Sequence, residues 1–523
     1  MQQLTNIKPI KMLFKFFIIF TISFQASAND VVSFVNDDSA FAKNIHQSTI
    51  PELQKQMNEG KLSSEKLVKF FLKQMEKKEP YVNSIILVNP KALALAKQSD
   101  KDRKNGNIKG PLHGIPVILK DNIETYDMPT TAGSLVLKDN HTKRDAPLVK
   151  KLREAGAIIF AKANLSEWAN FRSERSSSGW SGVGGQTRNP HDISRTACGS
   201  SSGSGASIAA NLGVVAIGTE TNGSITCPAS VNGLVGIKPT VGLVSRTGVV
   251  PISHTQDTAG PMAKNVTDAA IVLAVIQGVD ESDSATKARP FDFSNSYQPD
   301  GQFSLKGLRI GVLKSGVKPH EVIDKLFSDT LSKLKVQGAV LVEDLSMERY
   351  EDFGKDSYDV LLYEFKHDLN QYFAGLPNQY NQLTLEKVIE FNKKNKEQEM
   401  PYFLQEIFVK AQAKGPLTDK EYTEALAKVR EATREKGLDA LFAEHKLDIL
   451  ITPTRGAAWS IDIINGDQSS GGYSTFSAIS GYSHLTMPMG KAFHMPIGLS
   501  VVGLAMDEDQ VIKAAREIEA AIK

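Results

Sequence analysis

Two short polar stretches and one lysine are the parts of this sequence best suited to nucleophilic chemistry. Residues 198–205 read Cys-Gly-Ser-Ser-Ser-Gly-Ser-Gly, and residues 218–225 read Gly-Thr-Glu-Thr-Asn-Gly-Ser-Ile. Glycine allows another group to approach the backbone closely, and free N–H groups at the start of a helix can hold an anionic group. A serine hydroxyl in these stretches can attack an amide at neutral pH only if a base takes its proton.

Lys120 is the candidate base. It follows the apolar run 115–119, Ile-Pro-Val-Ile-Leu, which is typical of a buried strand. Burial would lower the pKa of its amine and leave a neutral group able to accept a proton. A lone lysine at the end of a strand is usually just solvated. Lys120 is a candidate base only because the two polar stretches accompany it.

Each polar stretch has a plainer interpretation. The composition of residues 198–205 is typical of a flexible linker, but the stretch runs directly into a helical segment and a buried strand, which favours a binding loop. Residues 199–203 match the nucleophile elbow of α/β-hydrolases, but that elbow needs a strand before it and residues 188–192 predict a turn. Residues 218–225 could be an ordinary polar loop, although they follow a strand at its carboxyl end, where α/β folds build sites.

The elements that would position these residues alternate between strands and helices, which predicts an α/β fold. The expected strands are 115–119, 158–161, 214–217, 308–313 and 447–451, and the expected helices are 146–155, 207–211 and 268–276, with further helices from about residue 50. Residues 322–447 are rich in lysine and in helical patterns, so we expect them to form a helical layer or cap over the sheet.

Composition excludes several classes of protein. The chain has 523 residues, 41% of them hydrophobic, and a formal net charge of +2 without a long basic block, so nucleic-acid binding is not supported. The ten histidines show no zinc spacing, since His484 and His494 are too far apart for a pair on one helical turn. No metal or other cofactor is predicted.

The first 28 residues are typical of a signal peptide. Lys8, Lys11 and Lys15 precede the apolar run 16–24, and Ala26-Ser27-Ala28 provides a cleavage site. We expect a mature chain of residues 29–523, exported to the periplasm or the medium and without a membrane anchor. An apolar helix docked on the protein is the alternative.

Four blocks together resemble the amidase signature family: residues 110–122, 199–205, 218–224 and 233–240. The resemblance covers nearly the whole mature chain, is strongest over 110–262 and is thin over 322–447. It implies a single α/β/α domain in which helices cover a mixed central sheet. It also implies a Ser–Ser–Lys triad that hydrolyses carboxamides through an acyl-enzyme.

Matched residue by residue, Ser224 corresponds to the nucleophile of the family, Ser200 to its bridging serine in a cis peptide, and Lys120 to its base. Ser224 follows Ser200 by 24 residues, as the family pattern requires. The resemblance also implies an oxyanion hole that consists of the backbone N–H groups of Thr221, Asn222, Gly223 and Ser224. Asn222 and Ser202 depart from the residues that many members carry at these positions.

Residues 164–170, 220–228, 242–246 and 256–261 are most similar to the peptide amidase branch, whose members remove the C-terminal amide of peptides. The expected substrate is therefore a peptide amide or a small-molecule amide. We expect the acyl side of the site to include Ser176, Ser177, Ser178 and Gly179 together with the helical segment after residue 322.

Three other functions stay open at this point: a tRNA-dependent amidotransferase subunit that supplies ammonia to a partner, a general aliphatic or aryl amide hydrolase, and a non-catalytic exported binding protein. The sequence does not predict the acyl-side preference or the oligomeric state. Cys198 and Cys227 flank the two serines and could meet in space. We expect packed thiols there, with a disulfide as the alternative.

Overall fold

The computed structural model describes residues 39–286, 303–347, 353–377 and 379–523. The expected signal peptide lies outside these residues, so its assignment stays a prediction. In the described part of the chain, no helix combines the length and the apolar character needed to cross a membrane.

A mixed sheet lies at the centre of the fold. The described strands are β1 (Ile85–Val88), β2 (Pro116–Lys120), β3 (Ile158–Ala163), β4 (Trp180–Ser181), β5 (Gly185–Gln186), β6 (Arg188–Asn189), β7 (Asp192–Thr196), β8 (Val215–Glu220), β9 (Val235–Lys238), β10 (Thr258–Ala263), β11 (Arg309–Leu313), β12 (Val340–Leu345), β13 (Ile449–Pro453), β14 (His484–Ala492) and β15 (Met495–Val502). Eleven of them form one sheet in the order β1-β3-β2-β8-β10-β9-β14-β15-β13-β11-β12, and β4–β5 and β6–β7 are separate two-stranded pairs. β2 runs parallel to β3 and β8, whereas β10 runs antiparallel to β8.

Helices cover this sheet. Their bounds are Ala40–Gln47, Ile50–Asn58, Ser64–Val82, Ala92–Lys104, Pro147–Glu154, Ser202–Ala209, Thr226–Val231, Val266–Ile276, Glu321–Val336, Gly354–Ala374, Leu385–Lys394, Lys396–Glu399, Glu406–Gln412, Lys420–Thr433, Asp439–His445, Thr475–Ser480 and Glu508–Ile522. One connected apolar core includes residues from Ile45 near the start of the described chain to Ile518 near its end. The predicted α/β fold with a mixed, helix-covered sheet is therefore confirmed.

The strands that carry the candidate site are buried over their whole length. Every residue of β2, β3 and β8 is buried, as expected for parallel strands with helices on both faces, and this burial explains their continuous apolar runs. The helix Pro147–Glu154 instead buries only one face, with Leu148, Val149 and Leu152 inward. The predicted strand and helix positions in this region are confirmed within a few residues.

Four features differ from the sequence predictions. The predicted binding loop 198–205 is a loop only at its start, because its second half forms the first turns of the helix Ser202–Ala209. The segment 188–192, predicted as a turn, has a turn at residues 190–191, but the short strands β6 and β7 that flank this turn were not predicted. The predicted helical layer 322–447 contains β12, an edge strand of the main sheet, so the helical layer begins after that strand. The long β14–β15 hairpin was not predicted at all.

Aromatic contacts attach the helical layer to the loop that follows β3. Phe365, on the helix Gly354–Ala374, packs against Phe171 and Phe408, with ring centroids 5.1 and 5.3 Å apart. Trp168 packs on Phe408 at 5.8 Å. Since residues 176–179 follow this loop, the helical layer is fixed to the chain segment predicted to form the acyl side of the site.

Candidate active site

The candidate site lies at one edge of the sheet, where β2 and β8 end and β10 begins. Because β2 and β8 are parallel, their carboxyl ends meet at the same edge, and Lys120 and Glu220 are their last residues. β10 is antiparallel and starts with Thr258 opposite Glu220, which brings Asp257 to the same edge. The next residue after Lys120, Asp121, forms a buried ion pair with Lys162 at 2.8 Å and fixes the end of β2.

The Lys120 side chain is fully buried and contacts both polar stretches. Its Nζ atom lies 2.7 Å from the Ser200 Oγ, 2.7 Å from the Thr219 Oγ1 and 3.2 Å from the Thr219 carbonyl oxygen. The structure thus joins Lys120 to the predicted bridging serine. Thr219 was not singled out by the sequence analysis, although it lies within the second polar stretch.

Burial lowers the pKa of Lys120 to about 7, and the carboxylates of Asp257 and Glu220 oppose this shift. A neutral amine has two N–H donors and one lone pair, so one of its three partners must donate to it. The Thr219 carbonyl can only accept, and the Thr219 hydroxyl already accepts the Asn122 amide at 3.0 Å. A hydroxyl that accepts one hydrogen bond can still donate its own proton, so the donor to the amine is one of two hydroxyls, that of Ser200 or that of Thr219, each 2.7 Å away.

The loop of Ser200 begins with a cis peptide bond between Gly199 and Ser200, as the resemblance implied. The next residue, Ser201, donates its N–H to the Ser224 carbonyl at 3.2 Å, which places the two polar stretches side by side. Its hydroxyl is fully buried and donates to the Thr219 carbonyl at 3.0 Å. Because Ser201 would be the nucleophile of an α/β-hydrolase elbow, its burial excludes that interpretation.

Ser224 lies on a tight turn anchored by Glu220. One oxygen of the Glu220 carboxylate accepts the N–H groups of Ile225 at 2.7 Å and Thr226 at 2.9 Å. Gly223 has φ +82°, a conformation that a side chain would strain. Ser224 keeps 8% of its surface exposed, and within the described chain its hydroxyl makes no hydrogen bond.

Several backbone N–H groups of this turn are available to bind an oxygen atom of another molecule. Among the described residues, the N–H groups of Asn222, Gly223 and Ser224 have no hydrogen-bond acceptor. Adjacent free N–H groups beside a serine hydroxyl are the geometry that stabilises a developing oxyanion. The Asn222 side chain is held by Ser474, whose hydroxyl donates to its amide oxygen at 2.7 Å.

A second segment supports the turn from behind. Asp257 accepts the Thr221 hydroxyl at 2.6 Å and the N–H groups of Ile252 and Ser253 at 2.7 and 2.9 Å. The Gln256 side chain donates to the Thr221 carbonyl at 3.2 Å. Burial raises the pKa of Asp257 to about 6. Sequence reasoning assigned no role to Asp257, although its position directly before β10 was a usable signal.

The predicted acyl-side residues divide into two pairs. The Ser178 hydroxyl and N–H donate to the Asp467 carboxylate, at 2.5 and 3.2 Å, and the Gly179 N–H donates to the Ser166 hydroxyl at 2.8 Å. That hydroxyl lies against Gly199, where a Cβ would approach it to 2.2 Å, so Gly179 is one side chain away from the Ser200 loop. Ser176 and Ser177 point elsewhere: their hydroxyls donate to the Ser173 carbonyl and the Gln186 amide oxygen.

Arg455 is a further polar group at the turn that sequence reasoning missed. One guanidinium nitrogen lies 3.6 Å from where a Cβ on Gly223 would stand, and the other donates to Ser469 at 2.8 Å. Its Nε is buried and has no hydrogen-bond acceptor within the described chain. Burial lowers the pKa of Arg455, with Glu220 and Asp467 opposing. It lies two residues after the end of β13, and this position beside a strand end was a usable signal.

Cys198 and Cys227 form a disulfide, with their Cα atoms 6.0 Å apart, so the expectation of packed thiols was wrong. The physical reason is the contact between the two polar stretches: Ser201 binds the Ser224 backbone, and the cysteines lie a few residues outside these two positions. The disulfide links the start of the Ser200 loop to the helix Thr226–Val231 behind Ser224.

Comparisons with known proteins agree with this geometry. The model of the amidase family matches residues 66–512, and the chain therefore belongs to that family. A probable amidase of Arabidopsis thaliana is 39% identical over 91% of this chain and 90% of its own length. A glutamyl-tRNA(Gln) amidotransferase subunit of Thermoanaerobacter pseudethanolicus is 33% identical over 92% of this chain and 97% of its own length.

Solved structures include close neighbours. The native peptide amidase of Stenotrophomonas maltophilia has a TM-score of 0.85 and 42% identity, covering 91% of this chain and 97% of that one. A structure of the peptide amidase PAM with the competitive inhibitor chymostatin has a TM-score of 0.86 and 43% identity, with the same coverage. The chain is thus an amide hydrolase whose fold is close to that of peptide amidases.

We expect the disulfide to stabilise the folded chain. Replacing both Cys198 and Cys227 by alanine should lower the free energy of unfolding by about 3–4 kcal/mol, since the bridge closes a 29-residue separation. Urea unfolding of both proteins, with and without reductant, measures this. Reductant should destabilise the parent and leave the double variant unchanged. Two titratable thiols in the unreduced parent, or equal stability of the two proteins, would contradict the expectation.

Proposed function

We propose that this protein is a serine amidohydrolase that converts carboxamides, including the C-terminal amide of peptides, to the free acid and ammonia. The observation that carries the proposal is the 2.7 Å contact between the buried Lys120 amine and the Ser200 hydroxyl. A lysine with a pKa of about 7 is neutral in a large part of the molecules at physiological pH. The neutral amine can then act as the general base, as histidine does in many other serine hydrolases.

The proposed mechanism uses the three residues in sequence. Lys120 takes the proton of the Ser200 hydroxyl, and Ser200 takes the proton of Ser224 as the Ser224 oxygen attacks the amide carbon. The N–H groups of residues 221–224 stabilise the oxyanion of the tetrahedral intermediate. The relay returns a proton to the leaving nitrogen, so that ammonia departs and an acyl-enzyme remains. Water then attacks the ester by the same relay, which releases the acid and restores the Ser224 hydroxyl.

Polar groups around the turn favour a peptide on the acyl side over a long alkyl chain. Arg455 brings a guanidinium close to Gly223 with an unused N–H, and Asp467 lies behind Ser178. Backbone carbonyl and amide groups of a peptide can form hydrogen bonds with such groups, whereas a fatty chain would desolvate them without compensation. The similarity to peptide amidase structures supports the same choice.

We further propose that the chain is exported after removal of residues 1–28. The lysine-rich start, the apolar run 16–24 and the site Ala26-Ser27-Ala28 support a signal peptide. A disulfide between Cys198 and Cys227 is typical of oxidising compartments. An exported hydrolase would act without the partner that an amidotransferase subunit requires, although amidotransferase subunits are relatives at lower identity.

We expect single substitutions in the triad to remove activity without unfolding the protein. Ser224→Ala should prevent formation of the acyl-enzyme, and Ser200→Ala and Lys120→Ala should each lower kcat at least about 10²-fold through loss of proton transfer. Steady-state ammonia release measures this, with circular dichroism as the check on folding. Ser201→Ala, which alters a neighbouring hydroxyl of the same loop, is the matched control and should retain more activity than Ser200→Ala. Parental activity of Ser224→Ala would refute the nucleophile.

We expect activity to require the neutral form of Lys120. Because the amine is protonated below its pKa, kcat/KM should fall about tenfold per pH unit below about 7 and level off above it. Asp257→Asn removes a carboxylate that raises the pKa of Lys120, so the falling part of the kcat/KM profile should move to lower pH in that variant. A pH–rate profile of both proteins measures this. A profile that is flat from about pH 5 to about pH 8 would exclude Lys120 as the base.

The substrate assignment is tested with the purified chain alone. An amidated dipeptide should give the free acid and ammonia faster than a long-chain fatty amide does, with a mass gain of about one unit and an intact backbone. Free glutamine tests the amidotransferase alternative. Cleavage of internal peptide bonds, or turnover confined to fatty amides, would reject the peptide amide assignment while leaving the serine mechanism standing.

A further inference from the structure

Away from the triad, two histidines and an aspartate from distant parts of the sequence meet at the surface of the helical layer. His254 lies in the segment that precedes β10, and His367 and Asp368 lie on the helix Gly354–Ala374. Among the described residues, these three form the group of histidine, cysteine and carboxylate side chains whose ligand atoms could share one metal ion, all lying within 4.8 Å of one another. Their separation in sequence explains why histidine spacing did not predict them.

The distances fit one small cation. The Nδ1 atoms of His254 and His367 each lie 2.9 Å from an oxygen of the Asp368 carboxylate. Zinc binds imidazole nitrogen and carboxylate oxygen at about 2.0–2.2 Å, so the ligand atoms of a tetrahedral site stand about 3–3.5 Å apart. The observed contacts of 2.9 Å between these nitrogens and the Asp368 oxygens are close to that separation. The histidines are 40% and 41% exposed, which leaves room for a water as the fourth ligand.

The second nitrogen of each imidazole already has a partner. The His254 Nε2 atom lies 3.5 Å from the Glu364 carboxylate, and the His367 Nε2 atom lies 3.0 Å from the side-chain amide of Gln371. Metal-binding histidines commonly donate this second N–H to a carboxylate or carbonyl oxygen, which fixes the tautomer with the other nitrogen free to bind the ion. Turning the Gln371 amide by 180° presents its oxygen to His367.

Other contacts hold the ligands in place before any ion binds. The Asp368 carboxylate accepts the backbone N–H of His254 at 2.7 Å and is only 11% exposed. Glu364 is fully buried and accepts the hydroxyls of Tyr422 and Thr255 at 2.8 and 2.9 Å. The carboxylates of Asp368 and Glu364 also provide the negative charge that favours a divalent cation.

We propose that His254, His367 and Asp368 form a zinc site that ties the helical layer to the segment supporting the Thr221–Ser224 turn. Two imidazoles and one carboxylate suit zinc better than magnesium or calcium, which prefer oxygen ligands alone. His254 is three residues from Asp257, which holds the Thr221 hydroxyl, so the ion connects the helix Gly354–Ala374 to the back of the candidate site. The ion is structural, because it takes no part in the proposed Ser–Ser–Lys reaction.

The test uses the full chain without a histidine tag, titrated with zinc chloride in a calorimeter. We expect one site per chain and a rise in the melting temperature of a few degrees at a large excess of zinc over the dissociation constant. His367→Ala and Asp368→Asn should each weaken binding at least about tenfold, whereas His494→Ala, an exposed histidine beside a single aspartate, should not. Cobalt(II) in place of zinc should give the visible absorption of a tetrahedral complex, and His367→Ala should remove it.

Two outcomes would overturn the site. Absence of saturable zinc binding would leave the cluster as a set of His–Asp hydrogen bonds, and binding that survives His254→Ala and His367→Ala would place the ion elsewhere. Because His254→Ala removes a residue between two elements, its melting temperature without zinc is measured first, and His367→Ala serves where that variant is unstable. Failure here would leave the proposed amidase reaction untouched, since the triad is assayed separately.

Discussion

The burial of one amine governs the candidate site. Transferring a lysine from water into the protein disfavours its charged form, and Lys120 is fully enclosed at the end of a strand that is itself buried on both faces. Two carboxylates near it, Asp257 and Glu220, oppose this effect of burial, and the pKa lies at about 7. The proposed base is therefore a balance between the cost of burial and the attraction of neighbouring charge. The same two carboxylates hold the turn that carries Ser224.

Asp257 and Glu220 both affect the pKa of Lys120 and hold the Ser224 turn, and for this reason the residues around them form many hydrogen bonds. Glu220 binds the backbone after Ser224, and Asp257 binds the side chain of Thr221. A proton relay through hydroxyl groups depends on donor and acceptor distances that loops alone would not maintain. The disulfide between Cys198 and Cys227 adds a covalent link between the two polar stretches. Each of these contacts restricts a loop, and together they leave the Ser224 hydroxyl and the N–H groups beside it without a partner among the residues that the structure describes.

The sequence predicted the reacting residues of the site better than the residues that hold them in place. Lys120 and the polar run after β8 stand out because apolar strands end abruptly in polar residues, a signal that is local in the chain. Thr219, Asp257 and Arg455 were missed because their roles depend on strand order, and β10 and β13 meet the site only through pairings across the sheet. β12 was missed because it is an edge strand that is only partly buried, so its pattern lacks a continuous apolar run. The β14–β15 hairpin was also missed, although β15 is buried over its whole length. The disulfide could not be decided from spacing, since it depends on the contact between two loops.

The order of strands divides the molecule at one seam. The strands β1, β3, β2, β8, β10 and β9 come from residues 85–263, whereas β14, β15, β13, β11 and β12 come from residues 309–502. Among the described strands of the main sheet, the two sets pair only between β9 and β14. The proposed base, relay and nucleophile all belong to the first set. Arg455 and Ser474, which border the turn, and Asp467, which binds Ser178, belong to loops of the second. A lineage can therefore diversify what it accepts by altering loops on one side of the seam while the reacting groups on the other side stay fixed. The same catalytic half can then be inherited by enzymes with different substrates.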